Sequence, residues 1–493
     1  MINTIFSLLP PILTIVCVLI TKKVIPSIGI GIVSAALLIY NFNIIDTVIS
    51  IITTFFHMFY NDGLQVGNIQ LLSFLFLLGV LTALINKMGG TRAFAQYAKK
   101  YVKNRAGAEF LAFILGVVIF IDDYFNALTV GEIARPLCDE HNSSREKLSY
   151  IIDSTSAPVC VLSPLSSWGA YILSLLASLL AIYNLDVAPL TAFFKSIPYN
   201  LYAIFSLVMV IVLIVFEVKI GKMPITGNLE KDDNEKVVSS KGKPADLLEP
   251  ILLLIVISFG GIFLTGYLNG GSSNIIVILE YTDTYLSLFA GAAISVAWAS
   301  YRFFKFSHTG YLDAWKSGLK AMVDAVLILL FAWTLIEFVS AIGTGTYLSN
   351  LFTSTNLSPA LLPVTLFIIS ALMSLATGTS WGTFGIMIPI GTQMAMNLDP
   401  SILYMCLGAV LSGSVFGDHC SPISDTTILS SAGAKCNHID HVTTQLPYAM
   451  FVATVSSIAY LISALLNTVV AYIFIIICFI VLIFTKGNLR KKA

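Results

Sequence analysis

The stretch "GDHCSPISDTT" (417–427) holds two aspartates, a histidine, a cysteine, two serines, two threonines, a glycine and a proline. Leucine, isoleucine, valine and phenylalanine surround it. Whether this polarity sits in water or in a membrane decides the fold. Of the 493 residues, 57% are hydrophobic and 11% are charged. Soluble domains carry about 25% charged residues. Apolar windows recur at 3–20, 25–42, 69–87, 197–217, 248–268, 285–304, 324–342, 448–466 and 468–485. Each approaches the roughly 20 residues that carry a helix across about 30 Å of hydrocarbon. The chain reads as one all-α polytopic membrane protein, not as two soluble domains.

The net charge is zero, so nothing draws the chain to nucleic acid. The seven cysteines are scattered and form no CxxC pair. They read as small core residues. The first apolar segment lacks a basic leader and an AxA-like cleavage site, and is expected to be a retained helix.

The long charged stretch "KIGKMPITGNLEKDDNEKVVSSKGKPAD" (219–246) reads as a solvated linker near mid-chain. Across it the sequence repeats. "DGLQVGNIQLLSFLFLLGVLTALINKMGGT" (62–91) lies over "SGLKAMVDAVLILLFAWTLIEFVSAIGTGT" (317–346) without a gap. "SPLSS" (163–167) meets "SPISD" (421–425) at nearly the same offset. Charge then orients the halves. Loop 87–105 carries six Lys/Arg, and its counterpart 343–360 carries none. Segment 43–68 carries none, and its counterpart holds Arg302, Lys305, Lys316 and Lys320. By the positive-inside rule, equivalent loops face opposite sides. That is the mark of an inverted-topology repeat.

The expected plan has a first repeat over 1–218, a cytoplasmic linker over 219–246 and a second repeat over 247–467. An extra helix and basic tail occupy 468–493. With the N-terminus outside and the C-terminus cytoplasmic, about eleven helices cross. The parity holds only if 106–140 and 361–397 are re-entrant hairpins. Their tips are "FIDDYFN" (120–126) and "ATGTSWGTF" (376–384). Segments 148–183 and 402–433 are then single crossings, broken at the two Ser-Pro motifs.

A proline removes a backbone donor and clashes with the preceding turn. In a membrane such a break survives only where it is buried or lines a polar cavity. It leaves one half-helix ending in carbonyls and another beginning with free N–H groups. Serine, threonine and aspartate there serve as caps and as oxygen ligands for a hard cation. A single Ser-Pro motif is ordinarily a kink. Two at one repeat position, each after a polar tip, read as a binding site between inverted repeats, the plan of secondary transporters. Membrane carboxylates are functional by default, which singles out Asp122, Asp123, Asp418 and Asp425. One or two would bind a cation and one could carry a proton. Of the adjacent pair, one would face the site and the other would cap the hairpin. His419 and Cys420 suggest neither a transition-metal centre nor a hydrolase, since the further ligands and the oxyanion hole are missing. "NHIDH" (437–441) reads as a helix start with a solvated face, with a pH-sensing patch as the alternative, and Glu132 with Arg135 as an ion pair within the hairpin.

"FIDDYFNALTVG", "IIDSTSAPVCVLSPLSSWGAY" and "VFGDHCSPISDTTILSSAGAKCNHIDHVTTQLPYA" resemble the signatures of the NhaC family of sodium/proton antiporters. The resemblance implies a cytoplasmic-membrane secondary transporter, not an enzyme, with sodium and protons as coupling ions and no other cofactor. It implies a transport unit that moves elevator-like in a lipid-embedded homodimer. One cation site would involve Asp122, Asp123 and Asn126 with Ser163 and Ser166. The other would involve Thr379, Ser380 and Thr383 with Asp418, Ser421, Ser424 and Asp425. Ser167, Trp168, Gly378, Trp381, Thr426 and Thr427 would line any organic substrate. The family also includes carriers resembling malate/lactate exchangers and amino-acid carriers, so a small carboxylate or amino acid stays open. Half-helix N-termini would suit a carboxylate. An uncoupled channel and an intramembrane aspartyl protease are the remaining alternatives.

Overall fold

The structure is a computed structural model. It describes residues 2–21, 23–61, 63–227, 242–306, 310–344 and 358–487, together with 346, 347, 350 and 354. Among the described residues the elements are helices without a strand. Half of the linker, half of loop 343–360 and the end of the basic tail lie outside them.

The chain opens with α1 (Leu9–Thr21), α2 (Val24–Ile39) and α3 (Ile44–His57). Two windows expected to cross, 3–20 and 25–42, are thus occupied by helices of 13 and 16 residues. They fold against each other around a corner at Lys23. Next come α4 (Val66–Met88) and α5 (Gly90–Ala98). Among the described residues eight helical spans are long and apolar enough to cross a membrane, by length and composition. Two bent pairs would raise this to ten if each is one span. The pairs bend by 54° at Asn200 and by 84° near Thr282.

The first polar tip joins α6 (Arg105–Val118) to α7 (Asp123–Glu140). The first Ser-Pro break separates α8 (Arg145–Leu162) from α9 (Ser167–Ile182). Together α8 and α9 form one 38-residue span. The chain continues through α10 (Pro189–Ser196), α11 (Leu201–Phe216), α12 (Ala245–Gly270), α13 (Ile275–Tyr281), α14 (Thr284–Phe306) and α15 (Tyr311–Ile342). The second tip joins α16 (Leu362–Thr377) to α17 (Ser380–Leu398). The second break separates α18 (Leu403–Cys420) from α19 (Asp425–Ala434). Two long helices close the chain, α20 (His438–Leu465) and α21 (Thr468–Lys486).

Local chemistry explains the breaks. Ser163 and Ser421 each leave the helix in extended backbone. The following proline cannot supply the next helical N–H. The second serine of each motif then caps the next helix: Ser166 accepts from the Gly169 N–H, and Ser424 from the Thr427 N–H. At the second tip Gly378 adopts a left-handed conformation (φ 69°), which a side chain would strain.

Small residues bring the two halves together. A Cβ at Gly131 of α7 would lie 2.5 Å from the backbone of Gly433 in α19. Such glycines let membrane helices approach backbone to backbone. Near one end of the bundle, the buried Lys147 ammonium meets Glu109 at 2.7 Å, and Arg105 pairs with Glu217. This group ties α6 and α8 to the end of α11. Glu132 is held by Arg92 of α5 at 2.7 Å, an ion pair outside the hairpin. The segment "NHIDH" does begin a helix, with Asn437 as its cap, but His441 is buried rather than on a solvated face.

Candidate functional site

At the first tip, Asp122 caps α7. One carboxylate oxygen accepts from the Phe125 N–H (3.1 Å) and the other from the Ser167 hydroxyl (3.0 Å). Asp123 accepts from the Trp168 indole N–H at 2.9 Å through Oδ1. Its Oδ2 is buried without a hydrogen-bond partner. The Asn126 amide donates to the carbonyls of Gly116 (2.6 Å) and Ile119 (2.8 Å). It thereby satisfies acceptors freed where α6 ends. The Ser166 hydroxyl donates to the Cys160 carbonyl at 2.6 Å.

The second tip uses the same pairing with the partners exchanged. Here the tip supplies the hydroxyl and the helix before the break supplies the carboxylate. Asp418 accepts from the Ser380 hydroxyl (2.8 Å) and N–H (3.2 Å), and from the Ser424 hydroxyl (2.6 Å). The Ser421 hydroxyl donates to the Leu375 carbonyl at 2.7 Å. The Thr383 hydroxyl turns back to the Thr379 carbonyl, and Thr426 meets Ser424. Each tip is therefore clamped to the break of its own half by one aspartate–serine contact.

The halves then meet. The Tyr124 hydroxyl donates to Asp425 at 3.2 Å. Trp168 packs edge-on against Trp381, and Tyr171 stacks on Trp381 while donating to its carbonyl. Between the tips lies a cavity of about 600 Å³. Asp122, Asp123, Tyr124, Gly378, Thr379, Trp381 and Asp425 line it. So do Lys23, from the α1–α2 corner, and Asp324 of α15. Four carboxylates face one ammonium, a field that draws cations. Asp123 is buried, whereas Asp425 is exposed. Among the described residues no three or more His, Cys, Asp or Glu converge as for a transition metal.

The model of the Na+/H+ antiporter family matches residues 159–465. The chain belongs to that family. An uncharacterized protein of Haemophilus influenzae is 43% identical over 472 residues, covering 93% of this chain and 91% of that one. The malate-2H(+)/Na(+)-lactate antiporter of Bacillus subtilis is 35% identical over 176 residues, about a third of either chain. The YdaH transporter of Alcanivorax borkumensis has a similar fold. Its TM-score is 0.57 at 13% identity, over 85% of this chain and 89% of that one. The chain is thus a multi-pass membrane protein and a secondary transporter of the antiporter family.

Within this antiporter fold the expected site residues fall into two groups. Asp122, Asp123, Gly378, Thr379, Trp381 and Asp425 reach the cavity. Asn126, Ser163, Ser166, Ser167, Trp168, Ser380, Thr383, Asp418, Ser421, Ser424, Thr426 and Thr427 are not among its lining residues. Several of these hold the clamps behind it.

Lys23 and Asp324 were not foreseen. Asp324 opens the window 324–342, and Lys23 lies between two others; both positions look like helix ends in sequence. A third group was legible only in part, through His419 and His441. Asp153, His419, His441 and Gln445 form a buried polar cluster behind the second break. Asp153 lies ten residues before the first Ser-Pro break, among serines and threonines that mask it in sequence.

Proposed function

We propose that this transporter exchanges sodium for protons across the cell membrane, with the cation held between the two tips by Asp123 and Asp425. The observation that carries this reading is the buried, unpartnered Oδ2 of Asp123 beside the cavity. A buried polar atom without a partner calls for an explanation, and a bound cation or proton supplies one. Asp425, Asp122 and Thr379 offer further oxygens on the same cavity, which suits a hard cation.

Electrostatics would enforce the exchange. Carrying bare carboxylates through a low-dielectric barrier is costly. The site crosses when sodium or protons neutralise it, and stays when it is empty. In this reading the two halves are inverted repeats, with the N-terminus outside and the C-terminus cytoplasmic. Each hairpin and its broken helix move together, elevator-like, in a homodimer. The aspartate–serine clamps support that unit, because they bind each tip to its own break.

A second reading is a sodium- or proton-coupled carrier of a small carboxylate or amino acid. The cavity volume favours it, since small-molecule sites span about 300–1,000 Å³, and Lys23 could meet a carboxylate. Dye-loaded proteoliposomes separate the two. Antiport requires a sodium pulse alone to move protons at full rate, unaffected by malate, lactate or amino acids. Proton movement that depends on one of those solutes puts the second reading first. Sodium current without proton movement would leave only a channel.

A further inference from the structure

We propose that Asp153 is a proton-holding site distinct from the cation site, fed through His441. This rests on the antiport reading and adds a second proton to the one that competes with sodium between the tips. Asp153 lies mid-way along α8, and its side chain is 1% exposed. Its Oδ2 accepts from the Gln445 amide at 2.9 Å, and its Oδ1 lies 3.5 Å from the Ser430 hydroxyl. Among its contacts in the described residues there is no Lys or Arg. A buried carboxylate without a cation needs a proton or a charged imidazole to neutralise it.

Two imidazoles stand close. His419 Nε2 is 3.9 Å and His441 Nε2 is 3.7 Å from Asp153 Oδ2. They differ in what else they touch. Both His419 nitrogens are engaged, Nδ1 with the Tyr202 hydroxyl (2.7 Å) and Nε2 with the Ser154 hydroxyl (3.1 Å). His441 Nδ1 meets the Ser431 hydroxyl at 2.8 Å, and its Nε2 has no hydrogen-bond partner. The open position for a shared proton is therefore between Asp153 Oδ2 and His441 Nε2. The remaining groups facing Asp153 are Tyr150 on its own helix, Thr427 on α19, Tyr202 on α11, and Asp418 with Cys420 on α18. The Asp418 oxygens are already taken by Ser380 and Ser424.

The contacts continue outward. Ser431 also meets His438 Nδ1 at 3.1 Å, and His438 is only half-buried. The Ser431 hydroxyl rests donating to the Thr427 carbonyl at 2.7 Å. For transfer it turns to His441 Nδ1 and gives up its proton there, while its oxygen takes the proton arriving on His438 Nδ1. His441 gives up the proton on Nε2 to Asp153. One proton enters and one is stored; His441 is left as its Nδ1–H tautomer and returns to the Nε2–H form before the next transfer. His438 Nε2 also lies 2.6 Å from the Pro422 carbonyl in the second break. Movement of that break would therefore open or close the relay, coupling the proton site to the cation site.

The test uses purified transporter and its Asp153→Asn variant. Sodium binding and the protons released on binding are measured together with a pH indicator. Asp153→Asn is expected to bind sodium within about threefold of the parent, yet to release about one proton fewer per sodium. In proteoliposomes its sodium-driven proton flux should fall at least about tenfold, while sodium–sodium exchange persists. Parental proton release overturns the assignment. So does loss of sodium binding together with proton release, which would place Asp153 in the cation site. If Asp153→Asn does not fold, His441→Gln decides, because it leaves the carboxylate in place. It should slow proton uptake and move the pH profile without changing sodium affinity, and a parental profile overturns the proposal. A parent that shows no sodium-driven proton flux refutes the antiport reading itself, and this assignment with it.

Discussion

Asp123→Asn is the most informative single change. Asparagine keeps the shape of the side chain, and its amide oxygen can still accept from the Trp168 indole, which Asp123 does at 2.9 Å. What is lost is the charge of an oxygen that has no other partner. Two unit charges about 4 Å apart attract by about 4 kcal/mol at an effective dielectric of about 20. The amide retains part of this as a ligand, so about 2–3 kcal/mol should be lost, or about 30- to 140-fold in sodium affinity. Asp425 provides the internal comparison. It is exposed, so solvent screens it, and Asp425→Asn should cost less than about 1 kcal/mol. The assay is equilibrium binding of isotopic sodium to purified protein, with thermal unfolding as a check on folding. Equal effects at the two positions, or a larger one at Asp425, would refute the reasoning that burial ranks them.

Three further outcomes are expected. Lys147→Met removes the ammonium that meets buried Glu109 at 2.7 Å, leaving that carboxylate only the Ser143 hydroxyl at 2.7 Å and Arg105 at 3.9 Å. Unfolding of purified protein should show a loss of about 3 kcal/mol, much of it recovered by adding Glu109→Gln; a variant as stable as the parent contradicts this. Gly131→Val places a side chain where a Cβ already meets Gly433 backbone at 2.5 Å. It should separate α7 from α19 at about 1–3 kcal/mol and reduce transport strongly, and parental transport would show that the close approach is dispensable. Sodium affinity should weaken as pH falls, because a protonated carboxylate no longer attracts a cation. The slope approaches about tenfold per pH unit for each competing proton, and pH-independent binding would remove the carboxylates from the site.

The helix breaks were legible because their signal is local. A proline cannot continue the helix, and serine is a good cap, so "SPLSS" and "SPISD" state both the end of one helix and the start of the next. The tips were legible by polarity alone. What joins them was not. The exchange of partners between Asp122–Ser167 and Ser380–Asp418 spans 45 and 38 residues, and no pattern in either segment announces it. Lys23 sits at the α1–α2 corner and Asp324 in α15, far along the chain, and both reach the cavity only through packing. Asp153 and His441 were hidden for another reason: in "DSTS" and "NHIDH" several polar residues adjoin, and the sequence does not show which of them turns inward. Hydropathy also treated 3–20 and 25–42 as ordinary crossings, since it counts apolar residues and does not see where the helices stop.

The coupling itself is tested most directly by recording sodium efflux and proton uptake together in the same proteoliposomes. A fixed ratio between the two fluxes, held across a range of opposing gradients and lost in Asp123→Asn, is the expected result. Fluxes that vary independently of each other, or a ratio unchanged in the variant, would contradict sodium and protons sharing the site between the two tips.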